Sequence, residues 1–195
     1  MNRQISFSQY RTIDLIILGV IMLISQIAIH IAATGWFPDQ LYTVSPVAIV
    51  VMLVLMRWGP WAAIHAVVGG CVFAYISNGN VQHFVIYGVG NALSLLALIM
   101  LKIFGKETVR KSVWFTMGFA LLVPALMLAG RMAMAWVMGH DFEECLAFFT
   151  TDALSIPFTM CIAWCIRRID GLFEDQKHYL LRIQQEQSTK GGEQL

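Results

Sequence analysis

Long apolar segments alternate with short polar stretches along most of the chain. Most of the apolar segments approach the length of about 20 residues that an α-helix needs to cross the hydrocarbon core of a bilayer. Residues 57–60 (RWGP) follow a short second segment and predict a tight turn, because Gly and Pro end one helix and Pro60 begins the next. The pattern predicts an all-α integral membrane protein with six transmembrane helices, at residues 13–33, 43–56, 61–76, 81–104, 113–138 and 145–166.

The chain becomes polar after the last apolar segment, which divides it into two predicted regions. Residues 1–168 are expected to form the six-helix membrane domain, and residues 169–195 a cytoplasmic tail. Residues 188–195 are polar and are expected to be a disordered end. The rest of the tail predicts a short C-terminal amphipathic helix, because apolar residues recur near helical spacing at Ile169, Leu172, Phe173, Leu180 and Ile183.

The distribution of the 13 Lys and Arg residues predicts the orientation. Every predicted inner loop carries Lys or Arg, whereas the predicted outer loops at residues 34–42, 77–80 and 139–144 carry none. Because basic residues are retained on the cytoplasmic side, both termini are predicted to be cytoplasmic.

The composition argues against several classes of protein. With 58% hydrophobic and 13% charged residues, the chain is not an ordinary soluble domain, and no basic block indicates nucleic acid. The spacing of Cys161 and Cys165 places both thiols on one helix face, which suits either a soft metal or simple packing. No motif for nucleophilic hydrolysis, nucleotide binding or zinc proteolysis is present, and we predict no cofactor or metal.

Arg131 is the one basic residue predicted in the middle of an apolar segment. A charge at that depth costs about 2.5–3.5 kcal/mol on insertion scales, so a function is expected for it. Asp152 lies at a similar predicted depth in the sixth segment. An inward-facing pair would reduce the insertion cost and leave donors for an anionic or amide-bearing ligand; alternatively, it would only link two helices.

Other polar residues collect in the outer third of the predicted helices and in the outer loops. The inner halves are almost purely apolar, with Asp14, His65 and Asn91 as exceptions. His83, Tyr87 and Asn91 share one face of the fourth helix and could line a pocket or bond to neighbouring helices. Asn80 and His30 lie toward the same side, although His30 also suits the membrane interface. A polar cup that is open outside and closed below is typical of solute binding, whereas a channel would carry polar groups through its full depth.

Small residues recur at every fourth position in two of the predicted helices. Such stripes allow close helix approach, either within one protein or as a docking face for a membrane partner. The stripe residues are Ala62, Ala66, Gly70 and Ala74 in the third helix, and Ala28 and Ala32 in the first.

Together these features resemble the substrate-binding S components of energy-coupling factor (ECF) transporters. Residues 10–15 (YRTIDL) resemble the lead into the first helix of that family. Residues 58–63 (WGPWAA), with Gly69 and Gly70, resemble its inner turn and its third helix of small residues. The likeness covers about residues 10–168. The family's Ala-x-x-x-Ala docking face on the first helix is only partly matched, by Gly19, Ser25, Ala28 and Ala32.

The resemblance implies a transport subunit of a bacterial cytoplasmic membrane and not an enzyme. Such a subunit captures a vitamin or related micronutrient from outside, and releases it inward with two ATPase subunits and a transmembrane coupling protein. The alternatives are a non-transport scaffold, such as a cell-envelope morphogenesis factor, and a membrane enzyme with His30, His83 or Asp152 as acid–base groups. The predicted substrate-binding residues are Arg131, Asp152, His83, Tyr87, Asn91, Asn80 and His30.

Overall fold

A computed structural model describes residues 6–36 and 43–192, apart from the side chains of Gln184 and residues 186–192. This part of the chain is helical and contains no strand. Residues 37–42 of the predicted first outer loop lie outside the described range. The helices are α1 (Phe7–Trp36), α2 (Val47–Trp58), α3 (Ala62–Ile76), α4 (Val81–Asn91), α5 (Ala97–Phe104), α6 (Lys106–Lys111), α7 (Val113–Val137), α8 (Phe142–Thr150), α9 (Ser155–Ile166) and α10 (Gln176–Gly192).

The protein has membrane-spanning character. In the described residues, 5 helical stretches are long and apolar enough to cross a bilayer. They are Phe7–Trp36, Val47–Ile76, Val81–Phe104, Val113–Val137 and Phe142–Ile166.

The second of these stretches, Val47–Ile76, contains two helices that pack against each other. A 3-10 turn at Gly59–Trp61 separates α2 from α3, and Gly59 adopts a positive φ of 63° that favours glycine. A Cβ built on Gly69 of α3 would lie 2.7 Å from Val47 Cγ1 at the start of α2, so the chain folds back on itself. The turn predicted from residues 57–60 is therefore present.

Two further apolar stretches are interrupted in the middle. A 3-10 segment at Ala92–Leu96 separates α4 from α5, and a turn at residues 151–154 separates α8 from α9. Neither interruption is predicted from the sequence, because the apolar residues on either side of each are interpreted as one segment. The first interruption follows Asn91, and the second contains Asp152. Irregular backbone at membrane depth is tolerated where protein surrounds it.

The core is built around α2 and α7, and α1 lies at the periphery. Every residue of α2 except Ile49 is buried, and α7 packs on α2, α4, α8 and α9. In contrast, α1 buries only Leu18, Met22 and Gln26, which are spaced four residues apart along one face. Its remaining faces expose Ile and Val side chains, as expected for a helix that contacts lipid.

An ion pair between Asp14 and Arg57 ties three parts of the chain together at one end of the bundle. The Arg57 guanidinium donates to both Asp14 carboxylate oxygens, at 2.9 and 2.7 Å, and Trp58 Nε1 donates to the same carboxylate at 2.5 Å. Nη1 of Arg57 also donates to the carbonyl oxygens of Gly171 and Leu172, at 2.9 and 3.1 Å. The pair therefore fixes the start of α1, the end of α2 and the segment after α9.

Replacing Asp14 with alanine is expected to lower the free energy of unfolding by about 2 kcal/mol. Losing one partner of a fully buried ion pair costs about 3–5 kcal/mol, and we discount this because the Asp14 side chain is 15% exposed. Thermal unfolding in detergent micelles measures the change. Glu107→Ala is the matched control, since its pair with Lys111 is exposed and should contribute less than about 0.5 kcal/mol. Equal effects of the two variants would contradict this role.

The tail packs on the same end of the bundle. Tyr10 Oη donates to Gln176 Oε1 at 3.1 Å, Lys106 Nζ lies 2.5 Å from Asp175 Oδ2, and Arg110 pairs with Glu174. Partial burial opposes ionisation of Asp175, but the hydrogen bond and charge of Lys106 outweigh it and lower the pKa of this carboxyl. The start of α1 and the start of α10 therefore lie together. The predicted disorder of the last residues stays a prediction, and residues 193–195 lie outside the described range.

Candidate functional site

Helices α4 and α7 cross at two glycines, Gly90 and Gly130, with almost no space between their backbones. A Cβ built on Gly130 would lie 2.0 Å from the carbonyl oxygen of Gly90, and one built on Gly90 would lie 2.8 Å from Arg131 Cα. Glycine permits this approach, as at other close helix crossings in membranes. The crossing brings together the next residue of each helix, Asn91 and Arg131.

Arg131 links three parts of the bundle through two hydrogen bonds. Its Nε donates to Asn91 Oδ1 at 2.7 Å, and its Nη1 donates to Asp152 Oδ2 at 2.6 Å. Asn91 Nδ2 in turn donates to the Ala66 carbonyl of α3 at 3.3 Å. Arg131 is 2% exposed and Asp152 is 4% exposed, so the predicted inward-facing pair forms inside the bundle. A buried pair of this kind needs good geometry and further hydrogen bonds to compensate for lost hydration.

The carboxylate of Asp152 receives one of those further bonds from Ser155. Ser155 Oγ donates to Asp152 Oδ1 and accepts the backbone N–H of Ser45 at 2.8 Å. The guanidinium has five N–H donors, and the two on Nη2 of Arg131 have no hydrogen-bond partner among the described residues. The site therefore retains donors that an additional acceptor could use.

An aromatic cluster packs on Arg131 from the side of α4 and α8. The Tyr87 ring centroid lies 4.8 Å from Arg131 Cζ, within cation–π range. His83 stacks on Tyr87 with 6.4 Å between centroids, and Phe148 of α8 contacts His83 and Tyr87 at 5.9 and 5.8 Å. His83, Tyr87 and Asn91 thus share one face of α4, as their spacing predicts, and both Tyr87 and Asn91 contact Arg131.

Two predicted site residues lie outside this arrangement. Asn80 caps α4: its Oδ1 accepts the His83 backbone N–H at 3.1 Å and lies 2.7 Å from His83 Nδ1. This capping bond gives Asn80 a structural role. His30 is half-buried on α1, which packs mainly on α2 and α3, so it is not joined to the Arg131 pair in the described residues. A ligand contact of His30 stays a prediction.

Little space remains beside the Arg131–Asp152 pair among the described residues. The cavity there has a volume of about 10 Å³, and its lining includes Ala48 of α2, Leu128 of α7 and Ser155 of α9. A space of about 10–15 Å³ holds one water molecule, so this cavity does not accommodate an organic ligand. Residues 37–42 of the predicted first outer loop lie outside the described range, so the open polar cup stays a prediction.

The small-residue stripe of α3 also differs from its predicted docking role. Ala62, Ala66 and Ala74 are at most 1% exposed, and a Cβ on Gly70 would lie 2.2 Å from the Tyr87 carbonyl oxygen. These four residues pack inside the bundle and present no surface to a partner here, which corrects that part of the docking prediction. On α1, by contrast, Ala28 is exposed and Ala32 is half-buried.

Several residues that shape the site were not predicted. Ser45 and Ser155 complete the hydrogen bonding of Asp152, and Phe148 completes the aromatic cluster. Gly90 and Gly130 each precede a polar residue in an apolar segment, and that juxtaposition could have indicated the crossing. The serines gave no comparable signal, because Ser is common at helix ends.

The cysteines do not contribute to this site. Cys161 and Cys165 are exposed on α9 and are free thiols. In the described residues, no group of three or more His, Cys, Asp and Glu side chains is arranged to hold a metal ion. Comparison of the chain with protein-family models, with curated proteins and with solved structures gives no match.

Proposed function

We propose that the chain is the membrane-embedded substrate-binding subunit of an ECF-type importer. It captures a vitamin or related micronutrient from outside and releases it inward with two ATPase subunits and a transmembrane coupling protein. The chain itself acts as a binding and transport subunit and not as an enzyme. The cytoplasmic membrane of a bacterium is its proposed location.

The observation that carries this proposal is the buried Arg131–Asp152–Asn91 group, located where two apolar stretches leave α-helical geometry. Asn91 ends α4 and Asp152 lies in the turn before α9. Interrupted helices at membrane depth are characteristic of transporter binding sites, where irregular backbone faces a substrate instead of lipid. The unpaired donors of Arg131 favour an anionic or amide-bearing substrate.

The proposal includes six membrane-spanning helices with both termini in the cytoplasm. The chain reverses its direction at Gly59, which supports two short spanning helices within Val47–Ile76. The hydrogen bond between Tyr10 and Gln176 supports a location of both termini on one side of the membrane. Arg57, Lys106 and Arg110 lie at that same end of the bundle. Basic residues concentrated at one end of the bundle favour the cytoplasmic side for it.

Substrate binding by this proposal requires the site to open. The cavity beside the pair holds about 10 Å³, whereas small-molecule sites usually enclose about 300–1,000 Å³. We place the movement at α8, because Phe148 reaches from that helix to His83 and Tyr87 over Arg131. The turn at residues 151–154 is then the hinge between α8 and α9.

A non-transport scaffold is the second candidate, and one observation favours it. Arg131 hydrogen-bonds to both Asn91 and Asp152 inside the bundle, and a purely structural link between helices would make the same bonds. A scaffold would need interaction surfaces but no opening at Arg131.

Identification of the proteins that bind this chain distinguishes the importer subunit from the scaffold. The tagged full chain is purified gently from its own host and examined by native mass spectrometry. Masses that match two ATPases and a coupling protein are the expected result. Recovery of cell-envelope proteins with no ATPase would overturn the proposal and favour the scaffold.

A further inference from the structure

A narrow apolar groove runs between α1 and α3 on the periphery of the bundle. Its volume is about 340 Å³, and its α1 side extends from Arg11 to Leu23. From Arg11 to Leu23 this side of the groove is about 18 Å long. Gly19 lies beside His65 in the groove: a Cβ built on Gly19 would lie 3.6 Å from His65 Nε2, an ordinary van der Waals contact.

The residues around the groove favour a lipid acyl chain as its occupant. Around the groove, α1 exposes Ile16 and α3 exposes Ile64, which are 60% and 51% exposed and suit contact with lipid.

One end of the groove is cationic. The Arg11 guanidinium lies over the Trp61 ring, 4.5 Å from its centroid, and has no carboxylate partner among the described residues. Arg and Trp at the end of a spanning helix are typical of the headgroup level of a membrane, where an Arg binds lipid phosphate. Charge complementarity at this end therefore favours an anionic headgroup.

The wall of the groove contains a polar atom without a partner. His65 is 4% exposed, and its Nε2 lies 2.9 Å from the Leu15 carbonyl oxygen, whereas its buried Nδ1 has no hydrogen-bond partner in the described residues. Because carbonyl oxygens accept, the Nε2–H donates in this pair. Nδ1 is then an unprotonated acceptor, so the ester oxygens of a lipid do not pair with it, and preference for one headgroup rests on Arg11.

We infer that this groove is a binding site for an anionic phospholipid, with the phosphate at Arg11 and one acyl chain along Gly19. The site depends on the membrane-spanning character of α1 and not on the proposed transport activity. The lipid holds the lightly packed α1 against α3.

Native mass spectrometry of the full chain in detergent tests the site with two added lipids, phosphatidylglycerol and phosphatidylcholine of identical acyl chains. We expect phosphatidylglycerol to bind about fivefold more tightly, the contribution of one basic residue to an anionic lipid. Arg11→Ala should remove this preference and Arg11→Lys should retain it. Gly19→Leu should reduce occupancy by both lipids, because its side chain fills the groove.

Arg168→Ala is the matched control, since Arg168 also lies over a tryptophan, Trp164, but on α9. It should keep the full preference for phosphatidylglycerol. Lipid binding that is unchanged by Arg11→Ala and Gly19→Leu would overturn the inference. A dimer or a retained partner protein that is lost on Gly19→Leu would also overturn it, because the occupant would then be protein.

Discussion

Replacing Arg131 with alanine is expected to abolish substrate binding and to destabilise the protein while leaving it inserted in the membrane. The change leaves the carboxylate of Asp152 buried without its charge partner. Removing one member of such a pair costs about 3–5 kcal/mol. Asp152→Ala should have the same two effects, because it isolates the guanidinium. Unfolding in micelles and uptake into cells that express the variant measure the two effects separately.

A double variant separates the two roles of this pair. Arg131→Leu combined with Asp152→Leu removes both charges, and replacement of a buried ion pair by apolar residues is often neutral or stabilising by about 1–4 kcal/mol. We therefore expect stability near that of the natural protein but no recovery of substrate binding. Lys106→Ala and Arg110→Ala, at the opposite end of the bundle, should leave binding unchanged. Binding by the double variant at the natural level would show that the pair is only structural.

Replacing Gly130 with alanine is expected to lower the free energy of unfolding by about 3 kcal/mol, the upper end for overpacking a core. The added methyl group would lie 2.0 Å from the carbonyl oxygen of Gly90, which is backbone and cannot rotate away. The helices α4 and α7 must then separate, and Arg131 Nε moves away from Asn91 Oδ1. Thermal unfolding in micelles should show the loss.

The same substitution elsewhere on α7 supplies the control for Gly130→Ala. A Cβ on Gly118 would lie 3.8 Å from Met100 Cε, an ordinary van der Waals contact with a flexible side chain. Gly118→Ala should therefore be neutral, or stabilising by about 0.5–1 kcal/mol through helix propensity. A loss at Gly118 as large as that at Gly130 would show that the close crossing is not the cause.

The apolar segments and the Arg131–Asp152 pair could be predicted from sequence because each depends on local pattern. Apolar runs of this length leave few alternatives to membrane helices, and two opposite charges at similar depth in neighbouring segments have a strong reason to meet. The 3-10 segment after Asn91 and the turn at residues 151–154 could not be predicted, because no Gly or Pro marks either position as a break. Their causes are contacts with other helices.

Long-range contacts also explain the remaining differences between the predicted and the observed structure. The ion pair of Asp14 with Arg57 joins residues 43 positions apart in the sequence, so the local pattern around neither residue predicts it. The stripe from Ala62 to Ala74 predicts close packing equally well toward α4 or toward another protein, and the sequence does not distinguish the two. The aromatic cluster at the site likewise depends on Phe148, which contacts Tyr87 from another helix.

The most direct test of the account is whether Arg131 and Asp152 hold a small molecule. The natural chain and the Arg131→Leu, Asp152→Leu double variant are purified in parallel from the native host and compared by native mass spectrometry. We predict a retained small-molecule mass in the natural protein that is absent from the double variant, with both chains still bound to the ATPase partners. The same small-molecule mass in both proteins, or none in either, would contradict the account.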